Sequence, residues 1–139
     1  MSKNKKPRGG VIPYFIDGDN VEMLFMVPSD EKYGGPDWQV AKGKVDPGEE
    51  IKDGAFREAC EELGLFKPNV SEDHELGCFN NIHVWIAKIE DKEQFGQPHW
   101  ETGDTKWMTA EQFEDEGRDL HKPIVKAAMR LIKRKEQSA

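Results

Sequence analysis

Three glutamates, Glu58, Glu61 and Glu62, lie near the middle of the chain. The second and third follow the first by three and four residues. At about 100° per residue, a helix would place the three carboxylates on one face. Like charges at these spacings destabilise a helix by a few tenths of a kcal/mol per pair, so cations that neutralise them would explain the pattern. Carboxylate oxygens of this kind suit Mg²⁺ or Mn²⁺. A solvated acidic helix face is the alternative.

A glycine-punctuated loop stands directly before this acidic segment. It runs from Lys42 to Gly48 and carries two lysines at its start, Lys42 and Lys44. Lysine ammonium groups act as point charges for phosphate oxygens, and metal ions can bridge carboxylates and phosphates. The loop and the helix together therefore favour chemistry at phosphorus, with Lys42 and Lys44 as substrate-binding residues. A merely solvated acidic face would not explain the loop.

Nine spaced positions over residues 43–65 resemble the Nudix box without a departure. They are Gly43, Glu49, Arg57, Glu58, Ala59, Glu61, Glu62, Gly64 and Leu65. The surrounding order of strands and the closing helix are also similar to that family. The resemblance implies an α/β fold, the Nudix α/β/α sandwich with a mixed β-sheet. It also implies hydrolysis of a nucleoside diphosphate linked to another group, X.

The same resemblance implies a role for each box residue. The implied metal ligands are Glu58, Glu61, Glu62 and the backbone at Lys42 or Gly43. Glu58 is either a ligand or the general base, and Arg57 is an orienting partner for a box glutamate. Such a division of labour is physically consistent: a divalent cation acidifies water, a carboxylate takes the proton, and no covalent nucleophile is needed.

A further ligand or base is expected from a loop beyond the box, at residues 97–104. This loop offers His99, Glu101 and Asp104, of which Glu101 is our choice as a catalytic residue and metal ligand. A solvated loop without a role in catalysis is the alternative.

Aromatic side chains near the loop are candidates for stacking on a base. Trp38, Tyr33, Phe25 and Trp100 are the candidates, and Trp38, on the segment that leads into the box, is assigned to substrate binding. Packing in the core is the competing interpretation for each of them, because a small domain with four Trp residues must bury some of them.

The substrate is the part of the function that the sequence defines least. The Lys-Gly-Lys run at 42–44 resembles branches that act on dinucleoside polyphosphates, capped or triphosphorylated RNA, or diphosphoinositol polyphosphates, which share extended phosphate chains. The tyrosine typical of the first branch is absent at 81–83, and the proline typical of ADP-ribose hydrolases is absent near Phe79 and Asn80. An extended phosphate chain is therefore predicted, as a dinucleoside polyphosphate, a nucleoside triphosphate or a triphosphorylated RNA 5′ end. Hydrolysis of nucleotide sugars or ADP-ribose, a non-catalytic ligand sensor, and an RNA-associated protein are the alternatives.

The elements that must position these residues follow the order β-β-β-α-β-β-β-α-α. The helix of the box is predicted from Glu50 to Leu63, with Gly64 ending it. A last helix is predicted from His121 to Lys135, and Thr109 is predicted to cap a short helix before it. The predicted strands cover residues 10–16, 21–27, 38–41, 76–79, 82–89 and 105–109.

Length and composition limit the remaining possibilities. With 139 residues, 20 Lys+Arg, 27 Asp+Glu and a formal charge of −7, the chain is expected to form a single domain over 1–139, with a flexible basic tail at 1–8. No apolar run approaches the ~20 residues of a membrane span, so a cytoplasmic protein is expected. Cys60 and Cys78 are expected to be buried thiols. The oligomeric state is not readable from the sequence.

Overall fold

The elements of the fold are taken from a computed structural model that describes residues 7–137. Within these residues the strands are β1 (Arg8–Asp17), β2 (Asn20–Pro28), β3 (Ala41–Lys44), β4 (Val70–Phe79), β5 (Ile82–Ile89) and β6 (Thr102–Met108). The α-helices of the same region are α1 (Ile51–Leu63), α2 (Ala110–Glu116) and α3 (Lys122–Gln137). None of these helices is long and apolar enough to cross a membrane.

The strands form one mixed sheet centred on β1. The order is β4-β5-β1-β2-β6, and β3 pairs with β1 outside this path. β1 runs parallel to β5 and antiparallel to β2 and β3. Its residues 8–11 pair with β3 and its residues 14–17 with β2, so these two strands share one edge of β1. The predicted mixed sheet is confirmed.

Helices cover both faces of the sheet. Adjacent residues of β1 separate the two cores, because side chains alternate along a strand. Val11 packs with the α1 residues Ala55 and Ala59. Ile12, in contrast, packs in a larger cluster with side chains of α2 and α3 such as Phe113. The α/β/α arrangement expected from the resemblance is therefore confirmed.

Three strands differ by three residues or more from the predicted start of their ranges. β3 begins at Ala41, where the predicted strand ended; residues 38 and 39 make only isolated bridges. β6 begins at Thr102, three residues early. β4 begins at Val70 rather than at residue 76, because its first half is polar and lies at the sheet edge, where exposed side chains give no hydrophobic alternation.

The burial predicted for the cysteines is wrong. Both Cys60 and Cys78 are exposed. On α1 the buried arc is centred on Ala59, and Cys60, one residue later, is rotated by about 100° out of that arc. Cys78 lies on the edge strand β4, where only one neighbouring strand covers it.

The basic tail ends earlier than expected. Arg8 is the first residue of β1, and its N–H donates a hydrogen bond of 3.1 Å to the Asn81 carbonyl oxygen. The rest of the predicted tail, with Lys3, Lys5 and Lys6, falls largely outside the described residues.

Candidate active site

Two glycines allow α1 to pack directly on the sheet. Gly9 of β1 and Gly43 of β3 are register partners, and both face α1. A Cβ atom on Gly9 would lie 2.8 Å from the Ala55 Cβ, and one on Gly43 would lie 2.1 Å from the Glu58 Cδ. The box glycine is therefore required for space: its missing side chain leaves room for the Glu58 carboxylate over β3.

The three glutamates of α1 differ in burial according to their angle from Ala59, the centre of the buried arc. At 100° per residue, Glu62 lies about 60° from Ala59, Glu58 about 100° and Glu61 about 160°. Accordingly, Glu58 and Glu62 are both partly buried, with the Glu58 side chain 14% exposed, whereas the Glu61 side chain is 46% exposed. The predicted common face is thus divided between two glutamates at the sheet and one directed to solvent.

Glu62 joins the helix to the open edge of β3. Its Oε1 accepts a hydrogen bond of 3.1 Å from the Lys42 N–H. Burial raises the pKa of Glu62 to about 7, against the opposing effect of that hydrogen bond. Burial, followed by the nearby Glu61 charge, also raises the pKa of Glu58. Two carboxyls at this edge therefore ionise less readily than free glutamate, which a bound cation would reverse.

Arg57 holds the acidic side chains of the box together. Its Nε and Nη2 donate to the two oxygens of Glu49 at 2.9 and 3.1 Å. Its Nη1 donates to Glu58 at 3.1 Å and to Glu61 at 3.2 Å, and its Nη2 also reaches the Lys44 carbonyl oxygen at 3.0 Å. The hydrogen bond from Arg57 lowers the pKa of Glu49. The expected contact between Arg57 and a box glutamate is thus present with three of them.

The donor chemistry of the site fits a divalent cation. Carboxylate oxygens and the backbone carbonyl of Gly43 are hard ligands. The half-buried Glu62 has no cationic side chain within ion-pair distance in the described region. Across residues 7–137, however, no three acidic, histidine or cysteine side chains are already gathered around one point. Arg57 occupies Glu58 and Glu61, so a cation would compete with its guanidinium for these ligands.

The loop before β6 brings Glu101 to the same site. The His99 N–H donates to the Glu61 carbonyl oxygen at 2.6 Å, and the Thr102 hydroxyl donates to the Glu62 carbonyl oxygen at 2.9 Å. These bonds fix the loop to the end of α1. The Glu101 charge contributes to the raised pKa of Glu62. Asp104 instead accepts a hydrogen bond from the N–H of the residue that follows it.

We expect Glu101→Gln to lower kcat by about 10-fold, because the substitution removes a carboxylate that faces Glu62 while keeping its shape. Asp104→Asn is the matched control, since Asp104 lies three residues further along, in β6, and does not line the cleft. Steady-state turnover with Mg²⁺ measures both. Small and equal losses in the two variants would mean that the loop has no catalytic role.

A cleft of about 740 Å³ opens beside Glu62 and Glu101. Lys42 and Lys44 line it, as their predicted role in substrate binding requires, and Gly43, a predicted metal ligand, lies between them. Because Gly43 faces α1, the alternation of β3 directs both lysine side chains to the opposite face of the strand. The lysines and the carboxylate helix therefore lie on two sides of β3 and meet at its open edge.

The aromatic candidates have different environments. Trp38 does not line the cleft: it packs against the core, and the Lys106 Nζ lies 5.7 Å from its ring centroid. The structure thus places Trp38 outside the lining of this cleft, and its assignment to substrate binding stays a prediction. Phe25 is fully buried in the core, and Trp100 is 76% exposed at the cleft. The Tyr33 side chain lies outside the described part of the structure.

The cleft also contains two arginines that the sequence did not assign to the site. Arg8 and Arg118 both line the cleft, from opposite ends of the chain. Arg8 was assigned to a tail, and Arg118 follows α2 in a segment without a recognisable pattern. The parallel pairing of β1 with β5 and the hydrogen bond from the Arg118 N–H to the Trp38 carbonyl oxygen, at 2.7 Å, position them. Neither contact has a local signal in the sequence.

Comparison with known families gives a match to the NUDIX domain over residues 6–128. The chain therefore belongs to the Nudix family, and together with the solved Nudix hydrolases of the same fold this assigns it as a hydrolase. Nudix hydrolases generally need divalent metal ions. A comparison with curated protein sequences found no match.

Solved structures share the fold at low sequence identity. A binary complex of the Ap4A hydrolase from C. elegans has a TM-score of 0.75 and 20% identity, covering 93% of this chain and 98% of that one. The NUDIX domain of Shewanella oneidensis NrtR, complexed with ADP ribose, has a TM-score of 0.72 and 13% identity, covering 94% and 90%. The MutT protein from Methanosarcina mazei Go1 has a TM-score of 0.69 and 18% identity, covering 94% and 99%.

Proposed function

We propose that this chain is a pyrophosphohydrolase that uses Mg²⁺ or Mn²⁺ to cleave a nucleoside diphosphate linked to X, with a substrate that carries an extended phosphate chain. Dinucleoside polyphosphates, nucleoside triphosphates and triphosphorylated RNA 5′ ends belong to this class. The observation that carries the proposal is the open edge of β3, where the half-buried Glu62 meets a cleft lined by Lys42 and Lys44.

In this proposal the metal ligands are Glu58, Glu61, Glu62 and the Gly43 carbonyl, with Glu101 as an additional ligand or base. The bound metal would supply acidified water and neutralise charge on the departing phosphate. Glu58 has a second possible role, as the general base that accepts the proton of the attacking water instead of a metal ligand. Lys42 and Lys44 contact phosphate oxygens from the other side of β3.

Arg57 acts as a positioning residue. Its guanidinium contacts Glu49, Glu58 and Glu61 at once, so the carboxylates are held near one another before a cation binds. When a cation binds, Glu58 or Glu61 would change partner from the Arg57 guanidinium to the cation, so each carboxylate would keep a positive partner. The hydrogen bond between Arg57 and the Lys44 carbonyl oxygen couples this exchange to the strand that carries the lysines.

A turnover screen with Mg²⁺ tests the proposal. We expect kcat/KM for diadenosine tetraphosphate or a triphosphorylated RNA oligonucleotide to exceed that for ADP-ribose and UDP-glucose by at least about 10-fold, because longer phosphate chains reach more of the cleft cations. Lys44→Ala should lower kcat/KM for the tetraphosphate by about 5- to 30-fold, the equivalent of one charge-assisted hydrogen bond, and less for ADP-ribose.

Lys133→Ala is the control for this substitution, since Lys133 is an exposed lysine of α3 that lines neither the cleft nor its neighbourhood. A preference for ADP-ribose or a nucleotide sugar would contradict the proposed substrate class. Binding without turnover of any member of the panel would instead identify a ligand sensor and contradict the proposed reaction.

A further inference from the structure

A second cavity, of about 430 Å³, lies on the face of β3 opposite to α1. We call it the basic cavity; its cationic lining is Arg8, Lys42, Lys44 and Arg118, and its other polar residues include Asn80 and His121. In the β1–β3 register Arg8 stands beside Lys44, so their side chains share this face. Arg8, Lys42, Lys44 and Arg118 line the cleft as well, so the two spaces are adjacent and share these four side chains.

The charge of the basic cavity is unbalanced. None of its four cationic side chains forms an ion pair with a carboxylate among residues 7–137, and no acidic residue lines it. The neighbouring Lys122, in contrast, pairs with Asp119 at 2.8 Å. Several unpaired cations around one concave surface repel one another, and a polyvalent anion would remove that repulsion.

His121 lines the same cavity and has an unused hydrogen-bond donor. The ring is fully buried, and its Nδ1 accepts a hydrogen bond of 3.0 Å from the Val40 N–H. A neutral ring that accepts at Nδ1 carries its proton at Nε2. The Nε2 atom is buried without a protein partner among the described residues. A buried donor without an acceptor is costly, so an anion oxygen at this point would satisfy it.

The His121 ring does not add a positive charge to the cavity. Burial, with the Lys42 and Arg118 charges, lowers the pKa of His121 to about 3. At neutral pH the side chain therefore contributes a directed N–H group rather than a cation. At the mouth of the cavity, Asn80 lies in the β4–β5 turn with φ of 52° and adds an amide to the lining.

We propose that the basic cavity is a polyphosphate subsite, which holds the phosphates of the substrate that lie beyond the anhydride being cleaved. Arg8, Arg118 and the His121 Nε2–H are its contacts, and Lys42 and Lys44 connect it to the cleft. The inference that these phosphates belong to a substrate rests on the proposed function. The subsite would select extended phosphate chains because a two-phosphate nucleotide cannot occupy both spaces.

Calorimetric titration of the metal-free protein with inorganic tripolyphosphate tests the subsite without turnover. We expect tripolyphosphate to bind at least about 10-fold more tightly than orthophosphate, and the double substitution Arg8→Gln, Arg118→Gln to weaken it by at least about 10-fold. Arg130→Gln is the control, because Arg130 is an exposed arginine of α3 outside the cavity. The His121 Nε2–H resonance should shift during the titration. An unchanged affinity in the double variant would overturn the proposal.

Substrate kinetics then separate the subsite from the proposed function. The double variant should lose at least about 10-fold in kcat/KM for diadenosine tetraphosphate and less than about 3-fold for ADP-ribose; equal losses would overturn the subsite. Arg118→Lys, which keeps the charge, should recover part of the affinity and excludes misfolding as the cause. Tight tripolyphosphate binding by a protein that hydrolyses nothing would support the subsite and contradict only the proposed reaction.

Discussion

Glu62→Gln is expected to lower kcat by at least about 100-fold while the protein stays folded. The substitution keeps the size of the side chain and an oxygen that can accept the Lys42 N–H, but it removes the charge of a partly buried carboxylate at the open edge of β3. Turnover with saturating Mg²⁺ measures the loss. Glu111→Gln, on the exposed surface of α2, is the matched control. Near-normal turnover would remove Glu62 from the metal site.

The same variant should be more stable than the parent protein when no metal is present. The pKa of Glu62 is raised in the folded state from 4.5 to about 7, so between these pH values the folded protein binds more protons than the unfolded chain. Stability is then lost as pH rises through this range and is constant above it. Glu62→Gln removes this cost, which is about 1–3 kcal/mol at pH 8.

Thermal unfolding in EDTA at pH 8 and pH 4.5 measures this difference. We expect the melting temperature of Glu62→Gln to exceed that of the parent by a few degrees at pH 8 and to match it at pH 4.5, where Glu62 is protonated in the folded protein. Mg²⁺ should stabilise the parent more than the variant. A lower melting temperature of the variant at pH 8 would show that the Glu62 charge supports the fold.

What the sequence predicts well is local. The helix of the box was expected from Glu50 to Leu63 and extends over Ile51–Leu63, because a carboxylate face, an apolar arc and Gly64 all lie within one segment. Gly64 adopts a φ of 74° and ends the helix, as a glycine at this position predicts. The mixed sheet and its two covering layers follow from the order of the elements.

What the sequence does not predict depends on distant pairings. Arg8 and Arg118 reach the cleft only because β1 pairs with β3 and β5 and the residue after α2 is bound to Trp38. The unequal burial of the box glutamates depends on how closely α1 approaches the sheet, which Gly9 allows from outside the box. The role of Gly9 has no signal in the box itself.

Substitution of Arg57 is the second change with a large expected effect. Arg57→Gln removes hydrogen bonds to Glu49, Glu58 and Glu61 and leaves these carboxylates to repel one another. We expect kcat to fall by about 30- to 100-fold and the metal-free protein to lose about 2 kcal/mol of stability, a moderate value because the Arg57 side chain is 31% exposed. Turnover with Mg²⁺ and unfolding in EDTA measure the two effects.

Two further variants separate geometry from charge. Arg57→Lys keeps the cation but not the planar fork that binds both Glu49 oxygens, so it should recover part of the stability and little of the turnover. Lys52→Gln is the control on the same helix. It removes one ion pair with Asp73, at 2.8 Å, and should lower the stability by about 0.5 kcal/mol or less.

If Arg57 only neutralises charge, Arg57→Lys will restore turnover, and its role as a positioning residue will be wrong. If Arg57 orients the carboxylates, Mg²⁺ will stabilise Arg57→Gln more than the parent protein, because the cation no longer competes with a guanidinium, while catalysis stays impaired at saturating metal.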